Sequence, residues 1–215
     1  MERDITVDLP DVTLPGLLIE PASRKGLVIF VHGAGSNHDS PRNRAVAEAL
    51  SDAGYICVMF DLLTADEYES EDKRLDMSLM ADRLVGATEW VRESDFGSDQ
   101  NIGYFGSSTG SAVAFKALNA GEQNIVAVVS RGGRPDLVLS DLRKVNVPSL
   151  LVVGGEDYKV RLFNERAIEQ LKGPRELRVV PDAGHLFEEP GAMEQVSTHA
   201  REWFDRYLGS GQGAK

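Results

Sequence analysis

One pattern constrains the fold of this chain more than any other: short, unbroken apolar runs alternate with polar or amphipathic stretches. The runs are "GLVIFVHG", "YICVMFDL", "NIGYFG", "IVAVVSRGG", "SLLVVGGE" and "ELRVVPDAG". They are continuous rather than alternating, which marks strands covered on both faces. Helical stripes lie between them. Val46, Ala49, Leu50 and Ala53 share one helix face, with Gly54 as the stop. Met80, Leu84, Ala87 and Val91 make a second stripe. Ala167, Ile168 and Leu171 make a third, ended by Gly173 and Pro174. A last helix from about Ala192 to Leu208 carries Val196, Ala200, Trp203, Phe204 and Tyr207. The segments "ITVDLP" and "PGLLIEP" predict an opening antiparallel hairpin. The fold class is therefore α/β: a mostly parallel central sheet, helices on both faces and an N-terminal antiparallel hairpin. Right-handed crossovers bring the carboxyl ends of the parallel strands to one edge, so residues just after each strand converge.

A chain of 215 residues suits one domain with a substantial core. The expectation is a single domain over residues 1–209 and a disordered tail over 210–215. The net charge of −11 argues against nucleic acid or an anionic membrane surface as partner. The N-terminus "MERDITVDLP" has no apolar core of a signal peptide. No apolar run approaches the ~20 residues of a spanning helix. The single Cys57 lies inside a strand-like run, which points to a structural thiol and a cytoplasmic, reducing location.

The strand ends carry the chemistry. After "NIGYF" comes Gly106-Ser107-Ser108-Thr109-Gly110, a G-x-S-x-G turn between strand and helix. The two glycines select Ser108 as the residue thrust into the cleft. Ser107 takes the variable position, and Ser111 falls inside the following helix. A serine hydroxyl needs a base to become a nucleophile. Of four histidines, His199 sits in the last helix, His38 in the loop "SNHDSP", and His32 beside "HGAGS", where a structural role is expected. His185, in the turn "PDAGHLFEEPG" after the last strand, is placed to be the base. The imidazole needs a carboxylate on its other nitrogen. "VVGGEDYKV" offers Glu156 and Asp157, and Asp157 is favoured; Asp136 in "GGRPDL" is a further alternative.

An attacked carbonyl becomes an oxyanion that requires fixed donors. The Thr109 backbone N–H, at a helix start, and the Ala34 N–H of "HGAGS" are the expected pair. Arg131 and Arg134 of "SRGGRPDL" are expected near the cleft edge. There they bind a carboxylate on the substrate, or hold the turn by pairing with Asp136, Asp141 or strand-end carbonyls. Phe187 is expected to contact substrate, with Tyr158, Leu62 and Leu63 completing an open cleft. "TADEYESEDKR" reads as a solvated acidic loop or a flexible rim of the site.

Together "HGAGS", "GYFGSSTGSA", "VVGGEDYKV" and "AGHLFEEPGA" resemble the α/β-hydrolase superfamily, in its dienelactone-hydrolase-like branch. The order Ser108, Asp157, His185 is the order of that superfamily. "SPRN", "DLLT" and "SRGGRPDL" further resemble hydrolase modules found alone or fused to phosphoribosyltransferases. The likeness runs from about residue 14 to residue 208. It implies a Ser–Asp–His hydrolase of small esters or lactones, with no metal and no organic cofactor. The namesake enzymes use a cysteine nucleophile where Ser108 stands here, so the resemblance carries the machinery rather than the dienelactone. Many lipases and epoxide hydrolases insert a cap after the strand equivalent to "IVAVVS"; only about fifteen residues follow it here, so no large cap is expected. Thioester hydrolysis, peptide cleavage or perhydrolysis by the same triad, and a non-catalytic binding module, are the alternatives.

Overall fold

The computed structural model describes residues 1–120 and 124–209; the expected tail over 210–215 lies outside them. Eight strands form one sheet: β1 (Glu2–Asp8), β2 (Thr13–Ile19), β3 (Gly26–Val31), β4 (Tyr55–Phe60), β5 (Ile102–Ser107), β6 (Ile125–Arg131), β7 (Ser149–Gly154) and β8 (Arg175–Val180). The order across the sheet is β1-β2-β4-β3-β5-β6-β7-β8. β1 pairs antiparallel with β2, and β2 antiparallel with β4. Every other pairing is parallel. The hairpin thus forms one edge of the sheet, and the six apolar runs are the six parallel strands.

Eight α-helices accompany the described strands: α1 (Pro41–Asp52), α2 (Ala65–Tyr68), α3 (Glu71–Leu75), α4 (Met77–Glu93), α5 (Thr109–Ala117), α6 (Leu139–Leu142), α7 (Tyr158–Ile168) and α8 (Ala192–Tyr207). The strand side chains divide between two cores. Leu27, Ile29 and Val31 of β3 point to the face covered by α4 and α5, where Met80, Leu84, Ala112 and Phe115 pack. Val28 and Phe30 point to the other face, where Val46 and Leu50 of α1 meet Val196, Trp203 and Phe204 of α8. Burial on both faces explains the unbroken apolar runs: β3, β4, β5 and β7 are buried at every residue. Cys57 is buried in β4, and burial pushes its thiol pKa up.

Two expectations need correction. The segment "TADEYESEDKR" is not a loop but the helical turns α2 and α3. Thr64 and Glu67 form a reciprocal capping box, and Ser70 caps α3, so local hydrogen bonds hold the turns despite the acidic composition. Glu67 then grips the buried Arg83 of α4 through two bonds of 2.5 and 2.8 Å. Its carboxyl is held down to a pKa of about 2, chiefly by the Arg83 hydrogen bonds. The third helical stripe also ends sooner than expected: α7 runs from Tyr158 to Ile168, and Leu171 packs beyond its end rather than on it. Between β6 and β7 there is only a 3₁₀ turn (Pro135–Val138) and α6, which leaves no cap over the strand ends.

Candidate active site

Ser108 stands between β5 and α5 with φ 51° and ψ −125°, a conformation side chains other than glycine rarely hold. Its neighbours enforce the turn. A Cβ at Gly106 would come within 2.6 Å of the Ser111 Cα, and one at Gly110 would collide with the Val31 and His32 carbonyls. The Ser108 N–H donates to the Arg131 carbonyl at 3.0 Å. The Ser108 carbonyl accepts from Arg134 N–H at 3.0 Å and from the Ser111 hydroxyl at 2.8 Å. Ser111 is therefore a brace for the turn, and Ser107 ends β5, buried.

The loops after β7 and β8 are locked together backbone to backbone. Gly155 N–H donates to Val180 O at 2.8 Å, and Glu156 N–H to Ala183 O at 3.0 Å. Gly184 N–H is closed by the Glu189 carboxylate at 2.9 Å. This sets Asp157 opposite His185, with Asp157 Oδ2 2.6 Å from His185 Nδ1. The far nitrogen, His185 Nε2, lies 3.5 Å from Ser108 Oγ. A carboxylate can only accept, so Nδ1 carries the proton and Nε2 presents its lone pair to the serine. Glu156 is turned away and accepts from the Tyr158 hydroxyl at 2.7 Å. Asp136 is taken up by Arg134 through two bonds of 2.8 and 2.9 Å.

The other histidines are held elsewhere. His32 donates from Nδ1 to Gly33 O at 2.9 Å and accepts the Leu62 N–H at Nε2 at 3.0 Å, bridging the ends of β3 and β4. Burial lowers its pKa, as both bonds of a neutral ring require. His38 pairs with Asp61 at 2.9 Å, and His199 lies 3.1 Å from Arg178.

The model of an α/β-hydrolase domain matches residues 24–204. The chain belongs to the α/β-hydrolase family. A dienelactone hydrolase of Anabaena variabilis is 46% identical, with a TM-score of 0.92 over 97% of this chain and 98% of that one. An α/β serine hydrolase without lid from Xanthomonas campestris is 20% identical, with a TM-score of 0.78 over 95% of this chain and 94% of that one, a likeness of fold alone. A Mycobacterium tuberculosis protein whose name proposes a phosphoribosyl transferase is 43% identical over 207 residues, covering 96% of this chain and 47% of the relative. The chain thus spans about half the length of the curated relatives it matches.

A pocket of about 200 Å³ opens on Ser108 and His185 and is walled by Arg42, Arg131, Ala34 and Leu186. A larger one of about 510 Å³ adjoins it, sharing Gly35, Ser40 and Arg42 and reaching Leu63, Thr64 and Tyr68. Helix α2 therefore rims the neighbouring pocket. Four expectations for the cleft change. Phe187, at φ 55°, turns inward and is buried in the core, leaving Leu186 at the pocket wall. Leu62 is fully buried, and Tyr158 projects to solvent. For Arg134 the turn-holding alternative is the one seen: it pairs with Asp136 and lies 4.8 Å from the ring of Phe163. The Ala34 N–H is not free: it donates to Thr109 Oγ1 at 2.7 Å. The Thr109 N–H, first in α5, has no acceptor within its helix. Sequence patterns alone do not single out Arg42 as a wall residue, although the Ser40-Pro41 helix start in "SPRN" marks where it enters.

Proposed function

We propose that this hydrolase cleaves carboxylic esters or lactones of small substrates by acyl transfer through Ser108. The observation that carries the reading is the hydrogen-bonded chain Ser108–His185–Asp157, on three post-strand loops at one sheet edge. Ser108 Oγ attacks the carbonyl while His185 Nε2 takes its proton. Asp157 holds the tautomer and stabilises the imidazolium. The leaving alkoxide receives that proton, and water then hydrolyses the acyl-enzyme by the same relay. A distance of 3.5 Å is loose for Ser108 to His185, as is common before substrate arrives.

The oxyanion draws on the Thr109 N–H and, once the Thr109 hydroxyl turns aside, on the Ala34 N–H. A neutral ester carbonyl competes poorly with that hydroxyl for the Ala34 N–H. An alkoxide competes well, because charge-assisted hydrogen bonds are roughly twice as strong as neutral ones. The exchange therefore favours the transition state over bound substrate. A single buried thiol fits a reducing cytoplasm as the place of work. A fluorophosphonate probe tests the reading: it labels the wild type and fails on Ser108→Ala, whereas equal labelling of both, or of neither, overturns it.

A further inference from the structure

Arg131 is a charge without a counter-charge. It ends β6 and is 7% exposed. Among the described residues its guanidinium finds no carboxylate, and its one hydrogen bond is a long 3.4 Å contact from Nη2 to the Asn43 side chain. Its Nε is buried with no partner. The plane rests over the Phe187 ring at 5.9 Å, so the head is held in place rather than swinging free. Burial, followed by the like charge of Arg42, lowers its pKa to about 10, which still leaves it cationic at neutral pH.

Arg42 repeats the pattern from the opposite wall. Its Nε is also buried and unpartnered. Its only ion pair among the described residues is to Glu188 at 3.3 Å, and the Glu188 side chain is 66% exposed. Arg42 stands in the first turn of the twelve-residue α1, a turn with no acidic residue to answer the helix N-terminus. Two guanidiniums and a helix start thus face one small pocket, and among the described residues the one carboxylate paired with either is the exposed Glu188 on Arg42. A buried unpaired cation costs stability by several kcal/mol, and a second cation beside it adds repulsion. A scaffold role would be served better by an apolar side chain of similar size, as Phe187 already lies beneath.

We propose that Arg131 and Arg42 form an anion subsite beside Ser108 that takes a carboxylate or phosphate group carried on the substrate. This rests on the hydrolase reading above only for the position of the scissile bond. The guanidinium forks present paired N–H donors to a group with two or three oxygens. A pocket of about 200 Å³ admits a short anionic arm and little more, so the anion sits a few bonds from the reacting carbonyl. Charge is supplied locally in a protein whose overall field repels anions, so the subsite favours substrates able to use it over neutral esters of equal size.

Three 4-nitrophenyl esters test this: the butanoate, the hemisuccinate and the 3-phosphonopropanoate. Wild type is expected to show kcat/KM at least tenfold higher for one of the two anionic esters than for the butanoate, and which one identifies the anion. In Arg131→Met that ratio is expected to fall at least tenfold, and in Arg42→Gln at least threefold. A ratio unchanged in both variants overturns the proposal, as does a wild type indifferent to charge. Thermal shift with succinate and with inorganic phosphate, which needs no turnover, separates the two readings. If no ester is cleaved but either anion raises the wild-type Tm and not that of Arg131→Met, the subsite stands and the esterase reading fails. Esters cleaved without anion preference, with no anion-induced shift, leave the esterase reading standing and overturn the subsite. Arg42→Gln, at the rim, keeps the test decisive if Arg131→Met does not fold.

Discussion

Replacing Ser108 by glycine and by alanine separates the backbone strain at this residue from its chemistry. At φ 51° and ψ −125° a residue with a Cβ stores about 1–3 kcal/mol. Ser108→Ala keeps the Cβ and hence the strain, and it removes only a long hydrogen bond to His185. Ser108→Gly releases the strain but adds freedom to the unfolded chain, worth about 0.5–1 kcal/mol. The difference leaves the glycine variant more stable than the alanine variant by about 0–2 kcal/mol, centred near 1. In a chain of 215 residues that is about 2–4 °C in Tm. Urea unfolding followed by tryptophan fluorescence reads it well, since Trp203 is buried in the core. Both variants are expected to lack esterase activity. A glycine variant clearly less stable than the alanine variant would refute the argument that the turn holds Ser108 against its conformational preference.

Two further outcomes follow from the bonds described. Asp157→Asn presents an amide donor to His185 Nδ1, favours the wrong tautomer and is expected to lower kcat by about 10³–10⁴. Glu156→Gln, whose parent carboxylate only meets Tyr158, stays within a few-fold, and the reverse ranking would move the acid by one position. The Glu67 carboxyl has its folded pKa depressed from 4.5 to about 2. Its contribution is therefore complete above pH 4.5 and lost as pH falls from 4.5 towards 2. Solvent screening at the partly exposed α2 reduces this from about 3 to about 1–2 kcal/mol. Glu67→Gln should flatten the stability curve over that window by this amount; parallel curves for variant and wild type would sink the assignment.

Much of this architecture was readable because it depends on residue types at fixed offsets. Unbroken apolar runs this short and rich in Val and Ile, set between helical stripes, mark strands buried on both faces, and parallel strands deliver their following residues to one edge. The meeting of Ser108, Asp157 and His185 follows from those two facts. What escaped depends on single dihedrals or on contacts distant in sequence. Leu186 and Phe187 exchange roles because the chain turns at φ 55° on a phenylalanine, where no glycine advertises the turn. The Thr109–Ala34 bond joins residues 75 apart, and Arg42 approaches Arg131 from a helix distant in the sequence. Helices α2 and α3 were hidden by their acidity, although Thr64, Glu67 and Ser70 carried the capping signal.

The glycines that let the post-strand loops touch backbone to backbone divide the labour of the molecule. Gly110 and Gly154 meet main-chain atoms at the ends of neighbouring strands where a Cβ would stand, and Gly106 meets those of the helix start that follows its own strand. Alignment of the serine, histidine and aspartate therefore depends on peptide-to-peptide contacts rather than on the residues that wall the pocket. Leu186 in the turn after β8, Tyr68 of α2 and Arg42 of α1 wall the pockets without carrying that alignment. Their exchange alters which molecules fit while Ser108, His185 and Asp157 keep their places, so what such a scaffold admits can drift, or be redesigned, by changing the walls alone.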